Sequence, residues 1–121
     1  MSEFLVCRSD EIKDGSVRIV EVGDVEFGVF RHKGLCYAYR NICPHQGGPV
    51  CEGLRIPQVV DRIREDGYFL GQTFDENDVH IVCPWHGYEF HLTTGEHVSN
   101  QNVRLHKFPV SEREGNVYVT I

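Results

Sequence analysis

Short runs in which apolar and polar residues alternate dominate the chain, and turn residues separate them. Residues 17–22 alternate in this way and are followed by a turn at Gly23-Asp24. Two further apolar runs, 25–30 and 35–39, are joined by His32-Lys33-Gly34, which is typical of a hairpin with a glycine-containing loop. The two-residue period indicates β-strands that each have one face in a core.

The same signals recur towards both ends of the chain. Residues 4–7 form the first apolar run, 88–92 alternate before a turn at Thr93-Thr94-Gly95, and 116–121 form a last strand. Regular short strands with glycine-rich turns predict an all-β fold with sandwich or barrel-like architecture. We expect residues 1–121 to form a single domain, because a chain of this length with 40% hydrophobic residues can bury a core unaided.

The segment at about 55–79 departs from this pattern. Four of its apolar residues are spaced at i, i+3, i+4 and i+7: Ile56, Val59, Val60 and Ile63. This spacing favours one short helix with a single apolar face. The alternative is two short strands, 59–60 and 68–70, with a turn at 65–67, which the β-branched residues support. We interpret the segment as a surface elaboration in preference to a partner-docking face.

The charge and the apolar runs exclude some classes of partner. The formal net charge is −6 and no cluster of lysine and arginine exists, so neither nucleic acid nor an anionic membrane is an expected partner. The first 15 residues contain no apolar segment long enough for a signal peptide, and no stretch approaches the length of a membrane span. We therefore expect a cytoplasmic protein.

Two short segments offer metal ligands. Cys43-Pro44-His45 and Cys83-Pro84-Trp85-His86-Gly87 each provide one thiolate and one imidazole on a loop that proline or glycine stiffens. Two mixed pairs suit a [2Fe–2S] cluster with two cysteines on one iron and two histidines on the other. The alternative is tetrahedral zinc, although common zinc fingers take a cysteine pair and a histidine pair from separate elements. No Cys-x-x-Cys occurs, so thioredoxin-like chemistry is not supported.

The segments CPHQGGPVCEG at 43–53 and CPWHGYEFHLTTGE at 83–96 resemble the Rieske family of iron–sulfur proteins. The resemblance implies antiparallel sheets with a small cluster-binding subdomain, here at about 41–98, into which the segment at about 55–79 is inserted. By the resemblance, Cys43 and Cys83 hold the inner iron, and His45 and His86 hold the outer iron near the surface. The residues expected around the cluster are Gln46, Gly47, Gly48, Trp85, Gly87 and Tyr88.

The sequence departs from high-potential members of this family. Those members have a serine after the glycine of the second loop and a tyrosine two residues later, whose hydroxyls donate to sulfur atoms. Tyr88 and Phe90 stand at these positions here. Gly48 and Trp85 replace the cysteines that form a disulfide between the loops of those members. Without these features we expect a potential near the low end of the Rieske range, on the order of −150 mV.

The remaining polar and sulfur-bearing residues suggest no further site. The other histidines lack paired ligand spacing and are interpreted as surface or strand residues: His32, His80, His91, His97 and His106. Cys7, Cys36 and Cys51 are expected to be small apolar residues in or beside strands of a protein in a reducing compartment. The acidic run at 75–78 is interpreted as a solvated loop, and no catalytic residue is predicted.

The resemblance implies a soluble Rieske-type ferredoxin, an electron-transfer component and not itself an enzyme. It would carry single electrons from an NAD(P)H-dependent flavin reductase to a terminal oxygenase, of the type that hydroxylates aromatic rings, without binding the substrate. We expect no mononuclear iron domain like that of an oxygenase subunit, because only residues 100–121 follow the cluster region in this sequence. The alternatives are a small Rieske subunit of a larger reductase, such as an assimilatory nitrite reductase, and a structural zinc domain.

Overall fold

The computed structural model describes residues 2–45, 47–63, 65, 67, 69–85 and 87–121, of which 57–63 and 69–76 are described by their backbone. The strands are β1 (Glu3–Arg8), β2 (Val17–Val22), β3 (Val25–His32), β4 (Leu35–Arg40), β5 (Leu54–Ile63), β6 (Phe69–Val82), β7 (Glu89–His91), β8 (Lys107–Phe108), β9 (Val110–Arg113) and β10 (Asn116–Thr120). Two 3₁₀ turns cover Ser9–Glu11 and Val50–Glu52.

The strands form three antiparallel sheets. One sheet has the order β1-β10-β9, the second β2-β3-β4-β8, and the third β5-β6-β7. Each hairpin predicted from the turn residues at 23–24 and 32–34 is present, and the predicted all-β antiparallel fold is confirmed.

The described residues include no helix long and apolar enough to cross a membrane.

The second sheet lies between two hydrophobic cores. On one of its faces Phe27 and Val29 pack with Val117 and Val119 of the first sheet. Residues on its other face belong to a separate core that also contains Ile81, Phe90 and both predicted cluster cysteines. Because both faces are covered, residues 27–30 are all buried and β3 does not show the alternation of a half-exposed strand.

The second core is organised around the Tyr39 side chain, which is fully buried. Its hydroxyl donates a hydrogen bond of 2.6 Å to the carbonyl oxygen of Leu92, and its ring packs against Phe30. Gly95 lies so close to this ring that an added Cβ would stand 2.7 Å from Cε1 of Tyr39. The contacts fix the chain after β7 against the second sheet and so hold the third sheet in place.

The prediction of a short helix in the segment at 55–79 is wrong. The backbone there forms a long hairpin of β5 and β6, as the alternative of two strands proposed. The pairing shifts register between Pro57 and Gln58, where Pro57 is opposite Val79 but Gln58 is opposite Asp75. Three residues of β6 therefore bulge out of the ladder, and proline, which lacks an N–H donor, suits such a break.

Beyond this bulge the hairpin is paired only with itself in the described part of the chain. β7 pairs with 80–82 of β6 and extends no further along it. The outer half of the hairpin, 58–63 with 69–75, thus projects from the end of the third sheet. We refer to this outer half as the hairpin arm.

Candidate metal centre

The two predicted ligand loops share one backbone hydrogen-bond pattern. In the first loop the N–H of Cys43 donates to the oxygen of Gly48, and the N–H of Gly47 donates to the oxygen of Cys43, both at 2.8 Å. In the second loop Cys83 pairs with Tyr88 at 2.8 Å, and the N–H of Gly87 donates back to Cys83 at 3.2 Å. Each cysteine is thus bonded to the residue five positions later and accepts from the residue four positions later.

Glycine closes both loops for the same reason. Gly47 and Gly87 have φ values of 77° and 69°, in the left-handed region that residues with a Cβ rarely adopt. Each glycine supplies the N–H that donates back to the oxygen of its cysteine. The two loops are therefore local copies of one turn, which the sequence places at Cys-Pro in both cases.

The two loop cysteines meet in the second core. Cys43 is 2% exposed and Cys83 is 1% exposed, and their side chains are within hydrogen-bond contact of each other. Burial raises the pKa of the Cys83 thiol, and the neighbouring Cys43 adds to this, whereas the backbone N–H of Trp85 donates to the sulfur and opposes it. A metal bound here would replace these protons, since thiols coordinate as thiolates.

Close backbone packing holds the loops together. A Cβ on Gly48 would lie 2.8 Å from two ring atoms of Trp85, so the indole covers the first loop where a larger residue would not fit. A Cβ on Gly53 would lie 1.7 Å from the carbonyl oxygen of Val82, directly before Cys83. The small residues of the first loop therefore allow the second loop to approach within contact distance.

The predicted ligand His45 lies at the surface beside the second loop. Its ring is exposed and stacks on the ring of Tyr88, with centroids 3.8 Å apart and planes inclined by 13°. Tyr88 also contacts His97, whose ring centroid lies 5.0 Å away. The predicted ligand His86 and the predicted neighbour Gln46 lie outside the residues that the structure describes.

Other predicted neighbours of the centre lie where the two loops meet. Trp85 is 50% exposed, so it is not a residue of the hydrophobic core. Phe90 is fully buried in the second core and brings no hydroxyl group to the region of the cysteines. Tyr88 stacks on the ring of His45, one of the predicted ligands. The sequence placed Tyr88 near the cluster but did not predict this contact.

The three remaining cysteines lie in the described part of the chain. Each is a free thiol, and none of them forms a disulfide. Cys7 is buried in β1, Cys36 is partly buried in β4, and Cys51 is buried in a 3₁₀ turn beside β4, as expected for small apolar residues. Burial raises the pKa of Cys36 and that of Cys51 each to about 12, and it also raises the pKa of Cys7.

The interpretation of the acidic run as a solvated loop is wrong, and two of the histidines lie together in space although they were not predicted to do so. The run at 75–78 is part of β6 and is not a loop, and Asp78 contacts His80 and His91. His80 and His91 are strand residues, as predicted, but they lie opposite each other on β6 and β7 and so come together in space. The signal in the sequence was the repeated spacing Asp78-x-His80 and Glu89-x-His91, which puts each pair on one face of a strand.

Comparisons with known proteins identify the domain. The description "Rieske [2Fe-2S] domain" matches residues 2–109. The ferredoxin component of the alkene monooxygenase system of Xanthobacter autotrophicus is 29% identical over 114 residues, which are 94% of this chain and 77% of that protein. A chain of the solved complex of reduced oxygenase and oxidized ferredoxin in carbazole 1,9a-dioxygenase is 29% identical with a TM-score of 0.70, and the match covers 98% of this chain and 92% of that one.

A larger enzyme contains a similar segment. The nitrite reductase [NAD(P)H] of Emericella nidulans is 28% identical over 124 residues, which correspond to 96% of this chain but to only 10% of that protein. The same kind of domain therefore occurs as a separate small chain and as part of a long one.

The residues present fit an iron–sulfur cluster. Two buried thiols meet at one point, on two loops of equal backbone geometry, and the imidazole of His45 lies on the solvent side of the first loop. Two sulfur donors on the inner side and nitrogen on the outer side are the donor types of a Rieske centre.

Proposed function

Because the chain belongs to the Rieske [2Fe–2S] domain family, we propose that its two loops hold the cluster of that family between them. The proposed ligands are Cys43 and Cys83 on the inner iron, and His45 and His86 on the outer iron. When bound, the cluster would accept and release one electron at a time, at a potential that hydrogen bonds to sulfur and burial adjust. Residues 41–98 would form the cluster-binding part of one domain that extends over 1–121.

We infer that the protein is a Rieske-type ferredoxin that carries electrons to a terminal oxygenase. The observation that carries this inference is the placement of the two loops, whose cysteines are buried while their tips face the solvent. Pro44, His45, Pro84 and Trp85 are all exposed. An electron on a cluster held here would be close to the surface, as transfer to a partner protein requires.

The surface composition supports a partner that binds weakly and carries positive charge. The net charge of −6 would steer the protein towards a basic docking site, and Ile42 and Trp85 offer exposed apolar contacts beside the loops. The electron donor would be an NAD(P)H-dependent flavin reductase, and the acceptor an oxygenase of the aromatic-ring-hydroxylating type. Both partners would share the cytoplasm with the carrier.

Rapid mixing tests this function. The protein, reduced with dithionite, is mixed in a stopped-flow instrument with a terminal oxygenase of the aromatic-ring-hydroxylating type and the substrate of that oxygenase, and oxidation of the cluster and product formation are followed. We expect product in proportion to the electrons delivered, with rates that fall as salt is raised, because exposed charges are screened beyond about 8 Å at physiological ionic strength. Stable co-purification with a nitrite reductase, and no transfer to an oxygenase, would identify a reductase subunit and contradict the carrier function.

Single histidine replacements test the ligand set. In His45→Cys and in His86→Cys a negatively charged thiolate would replace a neutral imidazole, so a retained cluster should have a lower reduction potential. His106→Cys, an exposed histidine away from the loops, is the matched control and should leave the potential unchanged. If either loop variant keeps the cluster and its reduction potential is unchanged, the replaced histidine is not a ligand.

Voltammetry and metal analysis test the cofactor and its potential. Iron and sulfide should each be present at about two per chain, and the potential should lie near −150 mV, because Phe90 provides no hydroxyl donor. A clearly positive potential would refute the reasoning from missing donors. One zinc ion per chain without visible absorption would show that the protein is a structural zinc domain and not an electron carrier.

A further inference from the structure

A second group of metal-ligating side chains lies at the base of the second ligand loop, outside the proposed cluster site. It consists of Asp78 and His80 on β6 and Glu89 and His91 on β7. His80 is directly opposite His91 in the sheet, so their side chains share one face. Ligand atoms of Asp78, His80 and His91 all lie within 4.8 Å of one another.

The buried imidazole of His80 has a carboxylate at each of its nitrogen atoms. Nδ1 lies 3.1 Å from Oε1 of Glu89, and Nε2 lies 3.4 Å from Oδ1 of Asp78. The side chain is only 5% exposed, and Nε2 is one of the few buried nitrogens among the described residues without a hydrogen-bond partner. A neutral imidazole donates through one nitrogen only, so the lone pair of the other would face a carboxylate.

Either a second proton on His80 or a metal cation bound between these groups resolves the conflict. If Nδ1–H donates to Glu89, the lone pair on Nε2 is directed towards Asp78 and can coordinate a metal that Asp78 also binds. A histidine that binds a metal through one nitrogen and donates through the other to a carboxylate is a common arrangement in metalloproteins. His91 completes the group, because its Nδ1 lies 2.8 Å from the same oxygen of Asp78.

We propose that Asp78, His80 and His91 form a binding site for one divalent transition-metal ion of the zinc type, with Glu89 as the residue that orients His80. Two nitrogen donors and one carboxylate oxygen are a ligand set that zinc, nickel and cobalt accept. This site is separate from the cluster loops and does not depend on the electron-carrier function.

The observed separations agree with coordination. Ligands about 2.1 Å from one metal lie about 3.0 to 3.4 Å apart at angles between octahedral and tetrahedral values. The separations of 2.8 Å and 3.4 Å from Oδ1 of Asp78 to the two histidine nitrogens lie near this range. The site is also accessible, because Asp78 and His91 line an open groove together with Asn77, Glu96 and His97.

The charge of the group favours a cation. Asp78 and Glu89 place two carboxylates against the two imidazoles, so the group attracts a cation when the imidazoles are neutral. The register shift between β5 and β6 contributes as well, because Asp78 belongs to the bulged residues that have no partner on β5. The bulge thus places a carboxylate beside the histidine pair where regular pairing would continue the strand.

Occupancy would connect β6 to β7 on both sides of the second ligand loop. His80 precedes Cys83 by three residues and Glu89 directly follows Tyr88, so a metal here joins the two strands from which the loop projects. We therefore expect metal binding to slow the loss of the cluster on heating.

Titration of the cluster-loaded protein with Zn²⁺, and separately with Ni²⁺, tests the site. Calorimetry should give one equivalent bound in the wild type, with the visible absorption of the cluster unchanged. In His91→Ala and in Asp78→Asn the affinity should fall at least about 100-fold, and in Glu89→Gln about 10-fold, as for loss of a residue that orients a ligand. His106→Ala, an exposed histidine outside the group, is the control and should bind like the wild type.

Several outcomes would overturn the site. These are no bound metal at micromolar concentrations, equal binding in wild type, His91→Ala and Asp78→Asn, or binding only as the cluster absorption is lost. His80 is left unchanged because replacing a buried side chain could unfold the domain. If the loops hold zinc and not a cluster, the proposed function fails but this site does not, since the wild type should still bind one more metal ion than His91→Ala.

Discussion

At the scale of single residues, the contact between the two ligand loops depends on the absence of a side chain at Gly48. The indole of Trp85 occupies the space that a Cβ of residue 48 would need. Trp85 is half exposed, so it contributes little as a core residue and acts here as a cover over the first loop. This pair connects the loop of Cys43 to the loop of Cys83.

We predict that Gly48→Ala destabilises the protein through Trp85. The methyl group would displace the indole, and overpacking of this kind costs about 1 to 3 kcal/mol. In the Trp85→Ala background the same replacement should cost clearly less, because the clash is absent. Urea unfolding of the four proteins gives the coupling free energy, and a value near zero would show that the two residues do not act on each other.

Residues of the loops were predictable from sequence because their chemistry is local. Cys43 and Cys83 are each followed by proline, and glycine at the fifth position of each loop closes a turn that a short pattern specifies. The group around His80 was not predicted. Its members come together only through the register of β6 and β7, and no local pattern in one sequence fixes a register.

At the scale of elements, the segment between the loops shows that a strand can have the apolar spacing of a helix. The spacing of Ile56, Val59, Val60 and Ile63 resembled one face of a helix, yet these residues are in β5. Residues four apart fall on the same face of a strand as well as of a helix, so this spacing alone does not distinguish the two. β1 has a bulge of its own between Leu5 and Cys7 and was still predicted from its apolar run, whereas the short strands β8 and β9 were not predicted.

We predict that the hairpin arm does not hold the cluster, and shortening it tests whether the arm is a surface elaboration only or also takes part in partner docking. Residues 60–73 are replaced by Asn-Gly, which joins Val59 to Phe74 with a two-residue turn and keeps the bulge. The visible spectrum should remain, because among the described residues the arm pairs only with itself. If the arm takes part in docking, transfer to the terminal oxygenase should slow by roughly tenfold, equivalent to about 1.4 kcal/mol.

Two other results would assign the arm a different role. Loss of the cluster spectrum after shortening would make the arm a structural cover for the metal centre. An unchanged spectrum together with an unchanged transfer rate would show that the arm neither covers the metal centre nor takes part in docking. Reduction of the shortened protein by dithionite serves as the control, since a small reductant does not depend on a docking surface.

At the scale of the whole molecule, one arginine joins the first sheet to the second. Arg31 on β3 donates five hydrogen bonds, two of them to the carboxylate of Glu112 on β9 and the others to backbone oxygens of Ser9, Ile12 and Gly34. Its side chain is 11% exposed. All five N–H donors of the guanidinium are therefore used, one within the turn after β3 and four towards the chain around β1 and β9.

We predict that this connection makes the stability depend on pH. Hydrogen bonds from Arg31 lower the pKa of Glu112 below its usual value of 4.5, so the folded state favours the ionised carboxylate. The stabilisation is complete above that usual value and is lost as the pH falls through the lowered pKa. Glu112→Gln should lower the free energy of unfolding by about 1 to 3 kcal/mol at pH 7 and by less near pH 3.

Urea unfolding at both pH values measures this difference, with Glu3→Gln as the control. Glu3 pairs with Arg113 on the surface, so its replacement should change the stability little. A difference between Glu112→Gln and the wild type that stays constant from pH 7 to pH 3 would contradict the assignment of the pH dependence to this carboxylate.

The burial of the three cysteines outside the ligand set has a consequence for a protein that works beside oxygen chemistry. With a pKa of about 12, Cys36 and Cys51 are almost wholly protonated at neutral pH, and oxidants and alkylating agents attack the thiolate. Cys51 is in addition fully buried, with its Sγ 3.3 Å from the carbonyl oxygen of Tyr39. Peroxide released by an uncoupled oxygenase would therefore find few reactive sulfur atoms in the folded protein, and rapid labelling of Cys36 or Cys51 by iodoacetamide would report unfolding of the domain.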